Sequence, residues 1–208
     1  MWENNILSLN AMLLESIAIV LAVMHFSIPV TYYWYLKTRW LNKPWSVEVD
    51  SSYTPVVSII VPTYNEAGFI EEKLGNIYEQ DYPRDRVEVV VVDSGSTDGT
   101  SEKVLEWSRK HPDITVKLIR EPVRRGKAHA LNEALKHVSG KVVVVTDADS
   151  KWLSKDTLRK VAAYMGNPGI GAVSCTKVPE ASGPGSVEAS YRDFYNAIRV
   201  AESNIYST

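Results

Sequence analysis

The chain has 208 residues, a formal net charge of −2 at pH 7 and one cysteine. This length suits one ordinary domain, or one domain with a short appendage, and the near-neutral net charge gives no overall sign of nucleic-acid binding. The single cysteine, Cys175, excludes an internal disulfide and a cysteine-based metal site, and its apolar surroundings predict that it is buried.

The first forty residues differ in composition from the rest of the chain. No charged residue occurs from Ile17 to Leu36, and about 20 apolar residues are enough to span a bilayer. Aromatic and then basic residues follow at the far end: Tyr32, Tyr33, Trp34, Tyr35, Trp40, Lys37, Arg39 and Lys43. We therefore predict a membrane anchor over residues 1–41, with one transmembrane helix at about 11–36.

The charge asymmetry around this segment predicts its orientation. Basic residues follow it and none precedes it, so the positive-inside rule places the rest of the chain in the cytoplasm. A cleavable signal peptide is an alternative, but the basic start and the small residues before a cleavage site are missing. A buried helix of a soluble protein is the other alternative.

Strands and helices alternate after a polar linker at residues 42–54. Apolar runs predict strands at 56–61, 87–92, 115–119, 141–146 and 170–178, and helical spacing predicts helices between them and at 187–206. This alternation favours an α/β domain over residues 55–208, with a mostly parallel sheet. In such sheets, ligands bind at the carboxyl ends of the strands.

Two carboxylates, Asp147 and Asp149, follow the run Val142–Val145 directly. Four β-branched residues in succession predict a strand buried on both faces. Two carboxylates so close together repel each other unless a cation or a shared proton intervenes, and Ala148 between them leaves space. A divalent metal that carries a nucleotide diphosphate would supply that cation. A solvated turn is the alternative.

Two further features lie at predicted strand ends or helix starts. Asp93 ends a strand before a Gly/Ser/Thr-rich loop, where it could accept hydrogen bonds from a nucleobase or ribose, or merely cap the turn. Arg124, Arg125 and Lys127 open a helix, although the helix dipole disfavours cations there. An anionic ligand such as a diphosphate would explain them, and a solvated charged loop is the alternative.

Four motifs, in this order, resemble those of the family 2 inverting glycosyltransferases with the GT-A fold. They are Val61-Pro62-Thr63-Tyr64-Asn65-Glu66, Val92-Asp93-Ser94-Gly95-Ser96-Thr97-Asp98-Gly99-Thr100, Arg125-Gly126-Lys127-Ala128-His129-Ala130-Leu131-Asn132 and Asp147-Ala148-Asp149. The resemblance is to membrane-bound members such as polyprenyl- or dolichyl-phosphate sugar synthases and polysaccharide synthases. It implies a Rossmann-like α/β domain over residues 55–208.

The resemblance also implies a set of site residues. Asp147 and Asp149 would hold Mg2+ or Mn2+. The nucleotide-sugar would be bound by Pro62, Thr63, Tyr64, Glu66, Asp93, Ser96, Arg125, Lys127, Asp147, Ala148 and Asp149.

The implied function is transfer of a hexose, with inversion, from a UDP- or GDP-sugar to a lipid-linked or glycan acceptor at a membrane. No nucleic-acid partner is expected. Residues 201–203 resemble the segment that precedes the acceptor half of membrane-bound members. We therefore expect the domain to be incomplete at its carboxyl end, with the general base beyond Thr208. The alternatives are a non-catalytic nucleotide-sugar-binding membrane protein and a phosphatase with an Asp-x-Asp motif at a strand end.

Overall fold

The structure, a computed structural model, describes residues 2–43, 47–176, 178 and 185–206. The helices in chain order are α1 (Trp2–Arg39), α2 (Ile70–Tyr78), α3 (Thr100–Lys110), α4 (Lys127–Ala134), α5 (Thr157–Met165) and α6 (Gly185–Tyr206). The strands are β1 (Val57–Thr63), β2 (Val87–Asp93), β3 (Thr115–Arg120) and β4 (Val142–Val145). The chain forms two compact units, Glu48–Val173 and Met1–Val47 with Ser174–Thr208.

The unit Glu48–Val173 is built on a four-stranded sheet in the order β3-β2-β1-β4. Every neighbouring pair of strands is parallel. The predicted α/β class with a parallel sheet is therefore confirmed. Because all four strands run the same way, their carboxyl ends lie along one edge.

Helices cover both faces of the two central strands. On one face, Ile59, Val61 and Val89 are buried against α2, α3 and α5, which contribute Ile70, Leu74, Val104 and Leu158. On the other face, Ile60, Val90 and Val92 pack against Ala130 and Ala134 of α4. Burial on both faces explains why the middle of each strand, residues 59–61 and 89–92, is an unbroken apolar run rather than an alternating one.

The prediction that Val142–Val145 is buried on both faces is wrong for one face. Val142 is 4% exposed, whereas Val143 and Val145 are 39% and 49% exposed. The reason is position, because β4 is one of the two edge strands and α4 packs its alanines over β1 and β2. A run of valines indicates a strand, but it does not show how much of that strand a helix covers.

The predicted strand at 170–178 is also wrong over the residues that the structure describes, which exclude residue 177. Residues 170–176 and 178 adopt no regular secondary structure, and Cys175, which was expected to be buried, is exposed. A strand exists only where a neighbouring backbone pairs with it, and an apolar sequence cannot supply that neighbour.

The other unit contains α1 and α6. Tyr33 and Phe194 bring their rings to 4.5 Å, and the hydroxyl of Tyr32 donates to Glu202 Oε1 at 2.8 Å. α1 extends the predicted helix at 11–36 in both directions, and α6 confirms the predicted helix at 187–206. Most apolar side chains of α1 from Met12 onward are exposed. By length and composition alone, Met12–Arg39 is able to cross a membrane.

Candidate functional site

The carboxyl ends of the strands place three predicted site residues side by side. Thr63 and Asp93 are register partners at the ends of β1 and β2, and β4 ends at Val145, just before Asp147. Thr63 is buried and donates its hydroxyl hydrogen to the carbonyl of Val92 at 3.2 Å. The loops that follow these strands therefore start from one rigid edge.

Asn65 joins the loops after β1 and β2. Its φ of 55° lies in the left-handed region, which asparagine tolerates better than most residues. Its backbone N–H donates to Ser96 Oγ at 2.9 Å, and its Oδ1 accepts from the N–H of Thr97 at 2.9 Å. The N–H of Glu66 donates to Thr100 Oγ1, also at 2.9 Å. These reciprocal bonds preorganise the two loops.

Asp93 is 3% exposed and is hydrogen-bonded by its own loop and by α3. Its Oδ1 accepts from the N–H of Ser96 at 2.9 Å, and its Oδ2 accepts from the hydroxyl of Ser101. The turn-capping interpretation of Asp93 is thus present in the structure. A carboxylate offers about four lone-pair sites, so these two bonds leave acceptor capacity for a ligand.

Several carboxylates lie within electrostatic range of one another. Asp98 accepts from the backbone N–H groups of Ala67 at 2.9 Å and Thr100 at 3.1 Å. Partial burial raises the pKa of Glu66, and the negative charges of Asp149, Asp98 and Asp147 raise it further. The loops after β1, β2 and β4 therefore place their acidic side chains around one space.

Asp147 and Asp149 are more exposed than Ala148, which lies between them. Asp147 is half-buried and Asp149 is exposed, whereas Ala148 is 5% exposed and packs in the core. Lys127 donates a hydrogen bond from its ammonium group to Asp147 Oδ1. The two carboxylates are thus available at the surface, and Ala148 could meet a ligand only through its backbone.

Lys73 anchors the loop after β4, and the sequence analysis did not identify it. It is 1% exposed, donates to the carbonyl of Ser150 at 3.0 Å and lies 4.6 Å from the ring centroid of Trp152. Burial lowers the pKa of Lys73 to about 8, while the charges of Asp147 and Asp149 oppose that shift. A lysine on an amphipathic helix usually faces solvent, so no sequence signal marked this one.

The basic cluster at the start of α4 is exposed and reaches the other loops. The guanidinium of Arg124 lies 4.3 Å from the ring centroid of Tyr64, and Arg125 Nη1 lies 3.4 Å from His129 Nε2. Together with the contact between Lys127 and Asp147, these interactions connect α4 to the loops after β1 and β4. The predicted cations and carboxylates therefore occupy the same edge of the sheet.

The carboxylate oxygens of Asp147 and Asp149 suit a hard divalent cation that a bound ligand also coordinates. Within the described ranges, no group of three or more His, Cys, Asp or Glu side chains could hold a metal by itself. Mg2+ commonly takes one or two carboxylates from the protein and completes its shell with phosphate oxygens and water. Asp147 and Asp149, one half-buried and the other exposed after a strand end and beside basic residues, match that requirement.

Comparison with known proteins identifies the family of the chain that carries this site. Residues 58–203 match the family model of Glycosyl transferase family 2, and the chain belongs to this family. The match begins in β1 and includes all four motifs at the strand ends. The family resemblance stated from the motifs is therefore confirmed.

Individual relatives extend this result. The mannosyltransferase of Pyrobaculum calidifontis, solved in complex with GDP-Man and Mn2+, is 55% identical, with a TM-score of 0.80 over 92% of this chain and 52% of that one. This similarity confirms the GT-A fold. Poly-beta-1,6-N-acetyl-D-glucosamine synthase of Staphylococcus epidermidis is 29% identical over 69% of this chain and 34% of its own length. Beta-monoglucosyldiacylglycerol synthase of Synechocystis sp. is 36% identical over 59% of this chain and 26% of its own.

The chain thus spans between about a quarter and a half of the length of these relatives.

Proposed function

We propose that this chain binds a nucleoside-diphosphate sugar at the carboxyl edge of its sheet and supplies the donor site of an inverting hexosyltransferase. The contact between Lys127 and Asp147 carries this proposal. It places an ammonium group, which suits phosphate oxygens, directly beside a carboxylate, which suits a divalent metal. A diphosphate with its metal requires both charges in one place.

Asp147 and Asp149 are the residues that would hold Mn2+ or Mg2+ with the diphosphate. When bound, such a metal neutralises negative charge on the diphosphate that leaves during transfer. Lys127 and Arg125 would bind the phosphate oxygens as cations. Lys73 would keep the loop after Asp149 in place through its bond to the carbonyl of Ser150.

The nucleoside would lie across the ends of β1 and β2. Asp93 has acceptor capacity left beyond its bonds to Ser96 and Ser101, and we propose that a base or ribose donor uses it. At the same edge lie Pro62 and Thr63, at the end of β1, and Tyr64 and Glu66, in the loop that follows it. The bonds from Asn65 keep these loops in one arrangement before the ligand arrives, which reduces the ordering cost of binding.

We propose a GDP-sugar as the donor, with GDP-mannose as the first compound to test. The support is the solved mannosyltransferase in complex with GDP-Man and Mn2+, which is 55% identical over 92% of this chain. UDP-sugars are the alternative donors. The identity of the sugar depends on contacts that the four motifs do not specify.

The acceptor proposed here is lipid-linked, with a growing glycan as the alternative. The apolar helix Met12–Arg39 supports a membrane location. Lys37, Arg39 and Lys43 after the apolar segment support a cytoplasmic donor site. Labelling of a cysteine introduced near Asn42 by an impermeant reagent in intact cells would contradict this orientation.

Calorimetry on the purified chain in detergent tests the donor site. We expect GDP-mannose to bind in the presence of Mn2+ and to bind much more weakly in EDTA. UDP-N-acetylglucosamine under the same conditions tests the choice of base. A chain that binds no nucleotide-sugar in either condition contradicts the proposal.

A second measurement separates transfer from binding alone. Radiolabelled GDP-mannose is incubated with Mn2+ and polyprenyl phosphate in detergent, and lipid-soluble label is counted. Label in the lipid fraction supports a transferase. Binding without transfer to polyprenyl phosphate fits both a donor site whose general base lies beyond Thr208 and the non-catalytic nucleotide-sugar-binding alternative, whereas release of inorganic phosphate from a nucleotide favours the phosphatase.

A further inference from the structure

Four polar side chains form a continuous hydrogen-bonded chain beside the donor site. Ser94 Oγ donates to Glu121 Oε2 at 2.7 Å, and Glu121 Oε1 lies 2.5 Å from His129 Nδ1. Arg125 Nη1 lies 3.4 Å from His129 Nε2. Glu121 is 7% exposed, and a carboxylate buried to that extent requires partners for both oxygens.

The chemistry of these groups fixes the direction of the bonds that link Arg125, His129 and Glu121. An ionised carboxylate only accepts, so the hydrogen between Glu121 and His129 must be on Nδ1 of the imidazole. In the neutral ring, Nε2 then carries a lone pair and accepts. The guanidinium of Arg125 only donates, so it is the matching partner for Nε2. Donation therefore runs from Arg125 to His129 and on to Glu121.

We propose that Glu121 and His129 are positioning residues that hold Arg125 ready for the diphosphate of the donor. This inference rests on the proposed function, because it assigns the diphosphate to Arg125. Arg125 is exposed, and a free arginine side chain loses much rotamer freedom when it binds a ligand. Holding it in place beforehand reduces that loss, which is the benefit of preorganisation.

Two substitutions of His129 test the roles of its two ring nitrogens separately. His129→Asn keeps a donor in the place of Nδ1 and removes the acceptor for Arg125. His129→Gln instead supplies an amide oxygen near the position of Nε2. We expect His129→Asn to weaken GDP binding in Mn2+ by about 3- to 10-fold, the effect of one hydrogen bond. We expect His129→Gln to recover most of that loss.

A comparison of GDP with guanosine shows which part of the nucleotide the substitution affects. Because Arg125 is assigned to the diphosphate, guanosine should bind wild type and His129→Asn equally. The matched control is His137→Asn, which also removes an imidazole beside a carboxylate, at 3.5 Å from Glu133 Oε1. His137→Asn should leave GDP affinity unchanged. An equal loss for guanosine, or an equal loss in the control, would overturn the inference.

A double-mutant cycle tests whether His129 acts through Arg125. Arg125→Ala should weaken GDP binding, and His129→Asn should add little in that background. Additive losses from the two substitutions would show that His129 acts independently of Arg125 and would overturn the inference. If the wild-type chain binds neither GDP nor UDP, the proposed function fails and this inference fails with it.

The hydrogen position is measurable without any ligand. The chain has four histidines, so long-range ¹H–¹⁵N spectra of histidine-labelled protein contain four rings, and His129→Asn identifies one of them. At alkaline pH, where imidazoles are neutral, we expect the His129 hydrogen on Nδ1. A hydrogen on Nε2 would overturn the inference even if nucleotide binding were normal.

Discussion

Lys127 donates a hydrogen bond from its ammonium group to Asp147 Oδ1. The two residues come from different elements, because Lys127 begins α4 and Asp147 follows β4. The ammonium group therefore occupies part of the space in which a divalent cation would meet the carboxylate. It partly neutralises the paired carboxylates without a metal, so Lys127 competes with the metal and still favours the diphosphate.

Replacement of Lys127 by methionine should therefore change the affinities for two ligands in opposite directions. Lys127→Met should raise the affinity for Mn2+ alone, because the competing cation at Asp147 is gone. It should lower the affinity for GDP in saturating Mn2+ by about 10-fold, because one charge-assisted bond is lost. Calorimetric titration of each ligand checks this, and a decrease in both affinities would contradict the competition.

Asp149→Asn should remove most Mn2+-dependent nucleotide binding and leave the fold unchanged. Asp149 is exposed, so the amide meets no buried partner and folding is unaffected. We expect at least about 10-fold weaker GDP binding in Mn2+ and an unchanged melting temperature. The control is Asp156→Asn, which changes a half-buried carboxylate at the start of α5. Equal affinities in wild type and Asp149→Asn would refute the metal assignment.

The sequence was sufficient to predict which strand ends lie along the edge that forms the candidate site. Buried valine runs are a strong signal for parallel strands, and parallel strands place residues such as Asp93 and Asp147 along one edge. The contact of Lys127 with Asp147 also follows from that topology, since both residues lie at the same edge.

The supporting residues could not be predicted, because their signals depend on distant parts of the chain. The buried Lys73 contacts Ser150 and Trp152, and the buried Glu121 bonds to Ser94 and His129, all of which are distant in sequence or belong to other elements. The exposed face of β4 was missed for the same reason. Local composition does not record which element covers a given face.

Gly140 occupies a position where any side chain would collide with β1. A Cβ there would lie 2.6 Å from Ser58 N and 2.9 Å from Val56 O, which are backbone atoms that cannot rotate away. Gly140→Ala should therefore destabilise the fold by about 1–3 kcal/mol, the usual cost of overpacking. Thermal unfolding by circular dichroism measures this change.

Gly75 is the matched control within α2. A Cβ there meets nothing within 4 Å, and alanine is a better helix former than glycine. Gly75→Ala should stabilise the fold by about 0.5–1 kcal/mol. If Gly140→Ala melts at the temperature of wild type, the close approach of residue 140 to β1 is not present in solution.

Because of Glu88, the stability of the sheet should depend on pH in the acidic range. It is 4% exposed at the opposite edge from the donor site, where Lys117 Nζ approaches Oε2 at 2.8 Å. Burial alone would raise the pKa of Glu88, but bonds from Lys117, the N–H of Ser139 and the hydroxyl of Ser58 outweigh it. The resulting pKa is about 2, below the ordinary value of 4.5.

A depressed carboxyl pKa stabilises the folded state at neutral pH. The contribution of Glu88 is complete above about pH 4.5 and is lost as the pH falls toward about 2, where the folded state also takes up the proton. The shift corresponds to about 3 kcal/mol at pH 7. Glu88→Gln should therefore lower the melting temperature strongly at pH 7, and the difference from wild type should shrink steadily from pH 4.5 to pH 2.5.

Glu106→Gln is the control for that measurement. Glu106 pairs with Lys110 one turn along α3, and both side chains are largely exposed, so its removal should change the melting temperature little at any pH. The two variants compared with wild type from pH 7 to pH 2.5 isolate the contribution of the buried carboxylate. A difference between Glu88→Gln and wild type that stays constant across this range would show that Glu88 stabilises the sheet by packing rather than by its charge.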